Sequence, residues 1–187
     1  MRTFVALNLP AAERARLYAS LEPLRAKALP VRWVASDALH MTVKFLGDTE
    51  SEAVAAVDDV MLEAAERRTP LSLRIGGLGA FPSLRRAGSL WVGVTGDAEL
   101  AALQRDLDPA LTRLGFPREQ RPFRPHITIG RTRSGARALD IERLRSLVNY
   151  EAVITVETIE LMKSHTGPGG ARYETLVRRR LGEREGV

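Results

Sequence analysis

The chain has 187 residues and no cysteine; 44% of its residues are hydrophobic and 27% are charged. This composition is typical of one globular core, or of two small lobes that share a cleft. No apolar run approaches the roughly 18 residues that a membrane helix needs, so we expect no membrane contact. The lack of cysteine excludes disulfides, thiolate metal sites and thiol nucleophiles, and a cytoplasmic location is expected.

The net charge is +5 and the isoelectric point is near 10.2. Clustered Lys and Arg concentrate phosphates, so this charge favours a polyanionic partner. It does so weakly, because Arg-rich proteins of GC-rich genomes, whose composition this chain shares, are often basic without binding polyanions.

The first third of the chain predicts strands alternating with helices. Residues 2–8 have the pattern of a strand rather than of a secretion signal, and a helix is expected between Pro10 and Pro30. Two further strands are expected at 31–35 and 39–46.

In the middle of the chain, Thr49 and Glu52 have the spacing of a capping box for a second helix. The alternation of LSLRIGGLG and of LWVGV predicts two strands joined by the loop PSLRRAG. Asp97 is expected to cap a long amphipathic helix. Its buried side is expected to carry Leu100, Leu103, Leu107, Leu111 and Leu114.

The last third predicts a loop that leads into the strand HITIG, and then a short helix and two strands. The expected bounds are 115–125 for the loop, 140–148 for the helix, and 152–162 and 172–179 for the strands. No low-complexity linker divides the chain. We therefore expect residues 1–187 to form a single bilobed domain, with 182–187 as a frayed tail.

The sequence contains the tripeptide His-x-Thr twice, as His40 and Thr42 in HMTVKFLG and as His126 and Thr128 in HITIG. Side chains two apart on a strand share a face, so each tripeptide would set an imidazole beside a hydroxyl. A single His-x-Thr is more often an ordinary cross-strand hydrogen bond. However, Thr is only 12 of 187 residues, and two such tripeptides among three histidines would arise by chance in about 1% of cases. The pair therefore favours catalysis.

Two imidazoles suit acid and base catalysis, because a pKa of about 6.5 lets one ring donate a proton while the other accepts one. The threonines would donate hydrogen bonds to phosphate oxygens in the transition state. The sequence has no HExxH motif, carboxylate cluster, P-loop or G-x-S-x-G elbow. We therefore expect neither a catalytic metal nor a cofactor.

These motifs resemble those of the 2H phosphoesterases, and within them the bacterial and archaeal RNA 2',3'-cyclic phosphodiesterases, which are 2'-5' RNA ligase-like proteins. The resemblance covers nearly the whole chain, through FVALNLP, RWVASDALHMTVKFLG, RPFRPHITIGR and SHTGPGGARYETL. It implies an α+β fold of two similar lobes whose antiparallel sheets flank a central cleft, with helices on the outside and one motif in each lobe.

The resemblance also implies an activity. His40 would be the proton donor to the leaving ribose oxygen, and His126 the proton acceptor that activates water. The substrate would be an RNA with a 2',3'-cyclic phosphate end, or a small nucleotide, with no obligate protein partner. The product would be a 2'-phosphate end. Some members are also associated with joining RNA ends through a 2'-5' bond, which makes ligation a secondary expectation.

Basic residues near the motifs are candidate substrate contacts. Lys44 shares the face of His40 and could reach the cleft, although a lysine at a strand end is more often solvated. Arg131, five residues after His126, faces the opposite side unless the strand bends. Four more arginines are candidates for RNA-backbone contacts, although each is more often a solvated side chain. They are Arg85, Arg86, Arg121 and Arg124.

Several aromatic residues on predicted strands could stack on a base, although such aromatics are usually core. They are Phe4, Trp33, Phe81, Trp91 and Tyr173. The third histidine, His165, lacks a Thr two residues on and is given no catalytic role. Two alternatives stay open: a non-catalytic nucleotide or RNA-binding module, and a phosphodiesterase for small cyclic nucleotides or 2'-5' oligonucleotides.

Overall fold

The computed structural model describes residues 1–96, 98–136, 139–167 and 170–183, and within these ranges the chain forms nine strands and four α-helices. The strands are β1 (Arg2–Asn8), β2 (Val31–Trp33), β3 (His40–Asp48), β4 (Leu71–Phe81), β5 (Ser89–Gly96), β6 (His126–Thr132), β7 (Glu151–Val156), β8 (Thr158–Gly167) and β9 (Gly170–Arg180). The helices are α1 (Ala11–Ser20), α2 (Glu22–Arg25), α3 (Ala53–Glu66) and α4 (Ala98–Arg113), with 3-10 turns at Ser36–Ala38, Leu84–Arg86 and Glu142–Leu147.

The strands of the described ranges form one antiparallel sheet in the order β7-β4-β5-β6-β3-β1-β8-β9, with β2 also paired to β6. Its two halves are β7-β4-β5-β6 and β3-β1-β8-β9. Among the described residues they pair only at Met41 and Ile127. Beyond that pair β2 takes the place of β3 beside β6. Because only Glu157 separates β7 from β8, which lie far apart in the strand order, the sheet must curl and bring its halves together.

Helices α3 and α4 cover the face of the sheet that is opposite the two histidines. The buried sides of α3 and α4 pack there with apolar strand residues such as Met41 and Val43. Buried apolar residues of both halves form one continuous core, in which each leucine contributes about 1.5–3 kcal/mol through burial. The structure therefore confirms the predicted α+β class, with antiparallel halves inside and helices outside.

Several element boundaries differ from the predictions. The helix expected between Pro10 and Pro30 is two helices, because Pro23 has no backbone N–H and fits only the first turn of a new helix, α2. The strand expected over 152–162 is two strands, interrupted at Glu157. Leu114 lies past the end of α4 and is exposed rather than buried.

The predicted capping box is wrong. Helix α3 begins at Ala53, and its N-cap Glu52 makes no side-chain capping bond. Thr49 is instead drawn into a buried contact, with its Oγ1 2.7 Å from Oγ1 of Thr3. The expected cap at Asp97 and most of the expected frayed tail, residues 184–187, lie outside the described residues. In the ranges that are described, no helix combines the length and the apolar character needed to cross a membrane.

Candidate active site

The two His-x-Thr motifs lie side by side where the half-sheets meet. Met41 and Ile127, the middle residues of the two motifs, pair with each other and are buried in the core. The residues on either side of them therefore project from the opposite face, into the cleft. In this antiparallel register each histidine lies across from the threonine of the other motif. His40 and His126 are then diagonal neighbours, with Cα atoms about 7–8 Å apart.

A β-bulge follows each motif. The extra residue is Val43 in β3 and Ile129 in β6. The first six residues of the two strands share one burial pattern: half-buried, buried, half-buried, buried, buried, exposed. Since an extra residue reverses the alternation that follows it, the fifth residue of each strand turns to the core. The sixth residues, Phe45 and Arg131, return to the cleft.

The prediction that Lys44 shares the cleft face of His40 is wrong because of this bulge. Lys44 is only 4% exposed, and its Nζ donates to Asp108 Oδ1 at 2.5 Å and to the carbonyl oxygen of Pro117 at 2.6 Å. Burial alone would raise the pKa of Asp108, but hydrogen bonds from Lys44 and from the backbone N–H of Glu119 hold it below its ordinary value. Lys44 thus ties the first motif to α4 and to the loop that precedes the second motif.

Both imidazoles are oriented by the same kind of backbone hydrogen bond. Nδ1 of His40 lies 2.8 Å from the carbonyl oxygen of Ala38, and Nδ1 of His126 lies 2.7 Å from that of Arg124. Because a carbonyl oxygen only accepts, Nδ1 must carry the hydrogen in both rings. Nε2 is therefore the atom of each ring that gains or releases a proton.

His40 packs between two aromatic rings. Phe4 stacks on it with 4.8 Å between ring centroids, and Tyr173 meets it edge-on at 4.7 Å. Burial lowers the pKa of His40; the hydrogen bond to Ala38 opposes this, and the charge of His126 lowers the pKa further. The two rings are thus close enough that a charge on His126 disfavours protonation of His40.

His126 packs against Phe81, with 5.1 Å between ring centroids, and against Trp91 at 5.9 Å. The indole ring of Trp91 lies directly over Gly79, where any Cβ would overlap it. Gly79 is therefore required for the close approach of this ring to the sheet. Trp33, by contrast, packs on the core next to Gly130. Four of the five aromatic candidates thus support the two histidines.

Hydrogen-bond donors for a phosphate surround the histidines. Within the described ranges the hydroxyls of Thr42 and Thr128 have no protein partner, and both residues are half-buried on the cleft face. The guanidinium of Arg131 lies close to the other half of the sheet. Burial raises the pKa of Tyr173, and the positive charge of Arg131 acts against that rise. The charge of Arg131, on β6, therefore acts on Tyr173 in the other half of the sheet.

Phe45 is a cleft residue that strict alternation does not predict, since alternation places it in the core. Its side chain is 60% exposed, and its ring centroid lies 6.0 Å from that of Phe4. Aligning HMTVKF with HITIGR shows that Phe45 occupies the position of Arg131 in the other motif. Once the bulge is known, this alignment identifies Phe45 and Arg131 as cleft residues.

The remaining candidates lie at the surface. The exposed arginines are Arg85 and Arg86 in the β4–β5 connection and Arg121 and Arg124 in the loop before β6. Contacts of these side chains with RNA stay predictions. His165 lies on the β8–β9 hairpin, where its Nε2 is 2.8 Å from Glu174. Among the described residues, no three His, Cys, Asp or Glu side chains are grouped so that they could hold a metal ion.

A curled antiparallel sheet with a His-x-Thr pair on each inner strand defines a class of two-histidine α+β proteins. The sequence profile of the 2'-5' RNA ligase superfamily matches residues 10–168, and the chain belongs to this superfamily. The match confirms the resemblance to the 2H phosphoesterases that the motifs indicate.

Individual relatives agree with this assignment. The RNA 2',3'-cyclic phosphodiesterase of Methanothermobacter thermautotrophicus is 30% identical over 92% of this chain and 95% of the relative. That of Geobacillus stearothermophilus is 36% identical over 80% of this chain, which spans only 48% of the relative. The crystal structure of E. coli LigT complexed with 3'-AMP is 28% identical, with a TM-score of 0.74 over 97% of this chain and 98% of LigT.

Proposed function

We propose that this protein hydrolyses 2',3'-cyclic phosphate ends of RNA to 2'-phosphomonoester ends. The observation that carries the proposal is the pair of Nε2 atoms, from His40 and His126, on one face of the cleft. Diagonal positions on paired strands have Cα atoms about 7–8 Å apart, a separation that suits one phosphorus atom between two rings. The activity named for the relatives from Methanothermobacter and Geobacillus supports the same chemistry.

In the proposed reaction, Nε2 of His126 takes a proton from water as the water oxygen bonds to phosphorus. Nε2 of His40 gives a proton to the ribose 3' oxygen as the bond between that oxygen and phosphorus breaks. One P–O bond forms and one breaks, and the two rings exchange protonation states. Proton exchange with solvent restores the starting state, so no cofactor is consumed.

The transition state carries extra charge on the nonbridging phosphate oxygens. The free hydroxyls of Thr42 and Thr128 and the guanidinium of Arg131 are the groups that we assign to it. Loss of one donor of this kind typically costs about 2.7–4 kcal/mol of barrier. An arginine can also contact two phosphate oxygens at once, which fixes the orientation of the phosphate.

The charge states follow from the electrostatics of the cleft. Burial lowers the pKa of His40 in the free protein, which favours its neutral form near pH 7. A phosphodiester anion between the rings raises that pKa, so the proton donor forms when substrate binds. The charge of His126 also opposes protonation of His40.

The exposed ring of Phe45 gives a stacking surface for the terminal base, and stacking is tolerant of base identity. Ligation would use the same cleft. A 5'-hydroxyl in place of water would leave a 2'-5' bond after departure of the same 3' oxygen. We also propose that residues 1–187 act as a single bilobed unit, because one core joins both halves.

The deciding experiment is incubation of the protein with RNA that ends in a 2',3'-cyclic phosphate, followed by identification of the phosphate position. A 2'-phosphate product that still forms in EDTA supports the proposal, whereas turnover abolished by EDTA overturns the metal-free mechanism. Saturable binding without any product would instead select the binding-module alternative. A panel of small cyclic nucleotides and 2'-5' oligonucleotides tests the other substrate classes, and joined RNA would reveal ligation.

A further inference from the structure

A cavity of about 1000 Å³ opens beside His40. Three of its lining residues are direct neighbours of His40. Asn8 pairs with His40 across β1 and β3, the carbonyl oxygen of Ala38 accepts from its Nδ1, and the ring of Tyr173 lies 4.7 Å away. In the described part of the chain no lining residue belongs to β5 or β6, the strands around His126. The cavity therefore extends the cleft on the His40 side.

A buried carboxylate fixes one wall of the cavity. Glu160 is 2% exposed and accepts hydrogen bonds from Asn8 Nδ2 at 2.8 Å, Thr175 Oγ1 at 2.7 Å and Arg178 Nε at 3.0 Å. The side chain of Arg178 is itself 63% exposed, and its two Nη groups have no partner among the described residues. Arg178 is thus held in place through Nε, and its two Nη groups are available as pre-oriented hydrogen-bond donors.

The charges that line the cavity are balanced. The cations are Arg14, Arg172 and Arg178, and the anions are Asp37, Glu157 and Glu160. Of the anions, Glu160 is paired with Arg178 and Glu157 with Arg180. A cavity lined by equal numbers of positive and negative side chains does not suit a run of several phosphates. It suits one nucleotide with a single phosphodiester, which a planar guanidinium can contact through two oxygens.

The stereochemistry of the proposed reaction decides which part of an RNA would reach this cavity. In an in-line displacement the attacking water and the leaving oxygen lie on opposite sides of phosphorus. With His126 on the side of the water, His40 is on the side of the leaving oxygen. That oxygen belongs to the terminal ribose, so this ribose and the chain that continues through its 5' oxygen also lie on the His40 side.

We propose that the cavity binds the nucleotide that precedes the cyclic end, with the phosphodiester between the two nucleotides held by Arg178. This inference rests on the proposed function and deepens it. It makes an RNA end of two or more nucleotides, rather than a mononucleotide, the preferred substrate class.

The test compares kcat/KM for a 2',3'-cyclic mononucleotide with that for a dinucleotide that ends in the same cyclic nucleotide. The variant is Arg178→Lys, since lysine keeps a charge near Glu160 but cannot contact two phosphate oxygens at once. This variant should lower kcat/KM for the dinucleotide about tenfold and change that for the mononucleotide by less than about twofold. The exposed Arg67, at the end of α3 and paired with Glu63, provides the control Arg67→Ala.

Salt gives a second readout. One phosphate contact should make the preference for the dinucleotide fall with salt concentration, with a logarithmic slope of about −0.7. Equal wild-type kcat/KM for the two substrates, or equal losses on both in Arg178→Lys, would overturn the inference and leave the proposed function standing. Absence of wild-type turnover on either substrate would overturn the proposed function itself.

Discussion

Nζ of Lys44 lies 2.5 Å from Oδ1 of Asp108, and both side chains are almost wholly removed from solvent. The same ammonium group donates to Pro117, at the start of the loop that leads to His126. The two motifs lie 86 residues apart in the sequence. They are joined in two ways: by the pairing of their strands, and by this buried ion pair on the core side of the sheet.

Replacing Lys44 with methionine should destabilise the fold by about 3–5 kcal/mol, because the carboxylate of Asp108 is left buried without its partner. The double variant Lys44→Met with Asp108→Leu should recover most of this loss. Urea unfolding measures both effects. Because Lys44 faces away from the cleft, the double variant should keep turnover; a large fall in kcat for a folded double variant would show that Lys44 contacts substrate.

The pH dependence follows from the lowered pKa of His40. As the proton donor, His40 must be charged, so kcat/KM should decline with rising pH around a midpoint below the ordinary value of 6.5. In kcat the midpoint should move upward, because the bound phosphate anion favours the charged ring. His40→Ala should lower turnover by about 10²–10⁴ and remove this declining limb from the residual rate. If the residual activity of His40→Ala still declines with rising pH, another group is the proton donor.

Arg131→Ala should reduce kcat/KM about 10- to 100-fold, because it removes charge-assisted hydrogen bonds to the phosphate. Arg131→Lys should recover only part of the lost kcat/KM, since an ammonium group cannot contact two phosphate oxygens at once. Arg133→Ala, an exposed arginine just beyond the end of β6, is the matched control. Comparable losses in both alanine variants would point to net charge rather than to a phosphate contact.

Phe45→Ala should raise KM with little effect on folding, because the ring is mostly exposed and its loss removes about 1–3 kcal/mol of base stacking. Steady-state kinetics with substrates that differ in the terminal base should show similar losses for each base. Val153→Ala removes another exposed apolar side chain, on β7, and should leave KM unchanged. An unchanged KM in Phe45→Ala would remove the ring from the substrate site.

Gly79→Ala should displace the indole of Trp91, because the added Cβ overlaps that ring. Overpacking of this kind costs about 1–3 kcal/mol of stability, and the displaced ring would no longer support His126. Tryptophan fluorescence and kcat should therefore change together. Gly88→Ala, on the same hairpin, has its nearest neighbour at 3.4 Å and is the control. Normal kcat with altered fluorescence would show that Trp91 does not position His126.

The sequence predicts the strands and the two motifs well, because alternation and the repeated His-x-Thr are local signals. It does not predict the bulges. Val43 and Ile129 are apolar and suit a core position in either register, so nothing local marks them as extra residues. The side that Lys44 takes depends on Asp108, which is 64 positions away. Strict alternation therefore places Lys44 in the cleft and Phe45 in the core. The observed strand pairing, with its bulge, gives the opposite.

The matched bulges also give the cleft a polarity. Antiparallel pairing makes the two motifs nearly interchangeable by rotation, so the imidazoles and hydroxyls alone would accept a substrate in either direction. The symmetry is broken at the sixth residue of each strand, where one half carries the aromatic ring of Phe45 and the other the cation of Arg131. A ligand that is apolar at one end and anionic at the other therefore binds between the two half-sheets in a single preferred orientation.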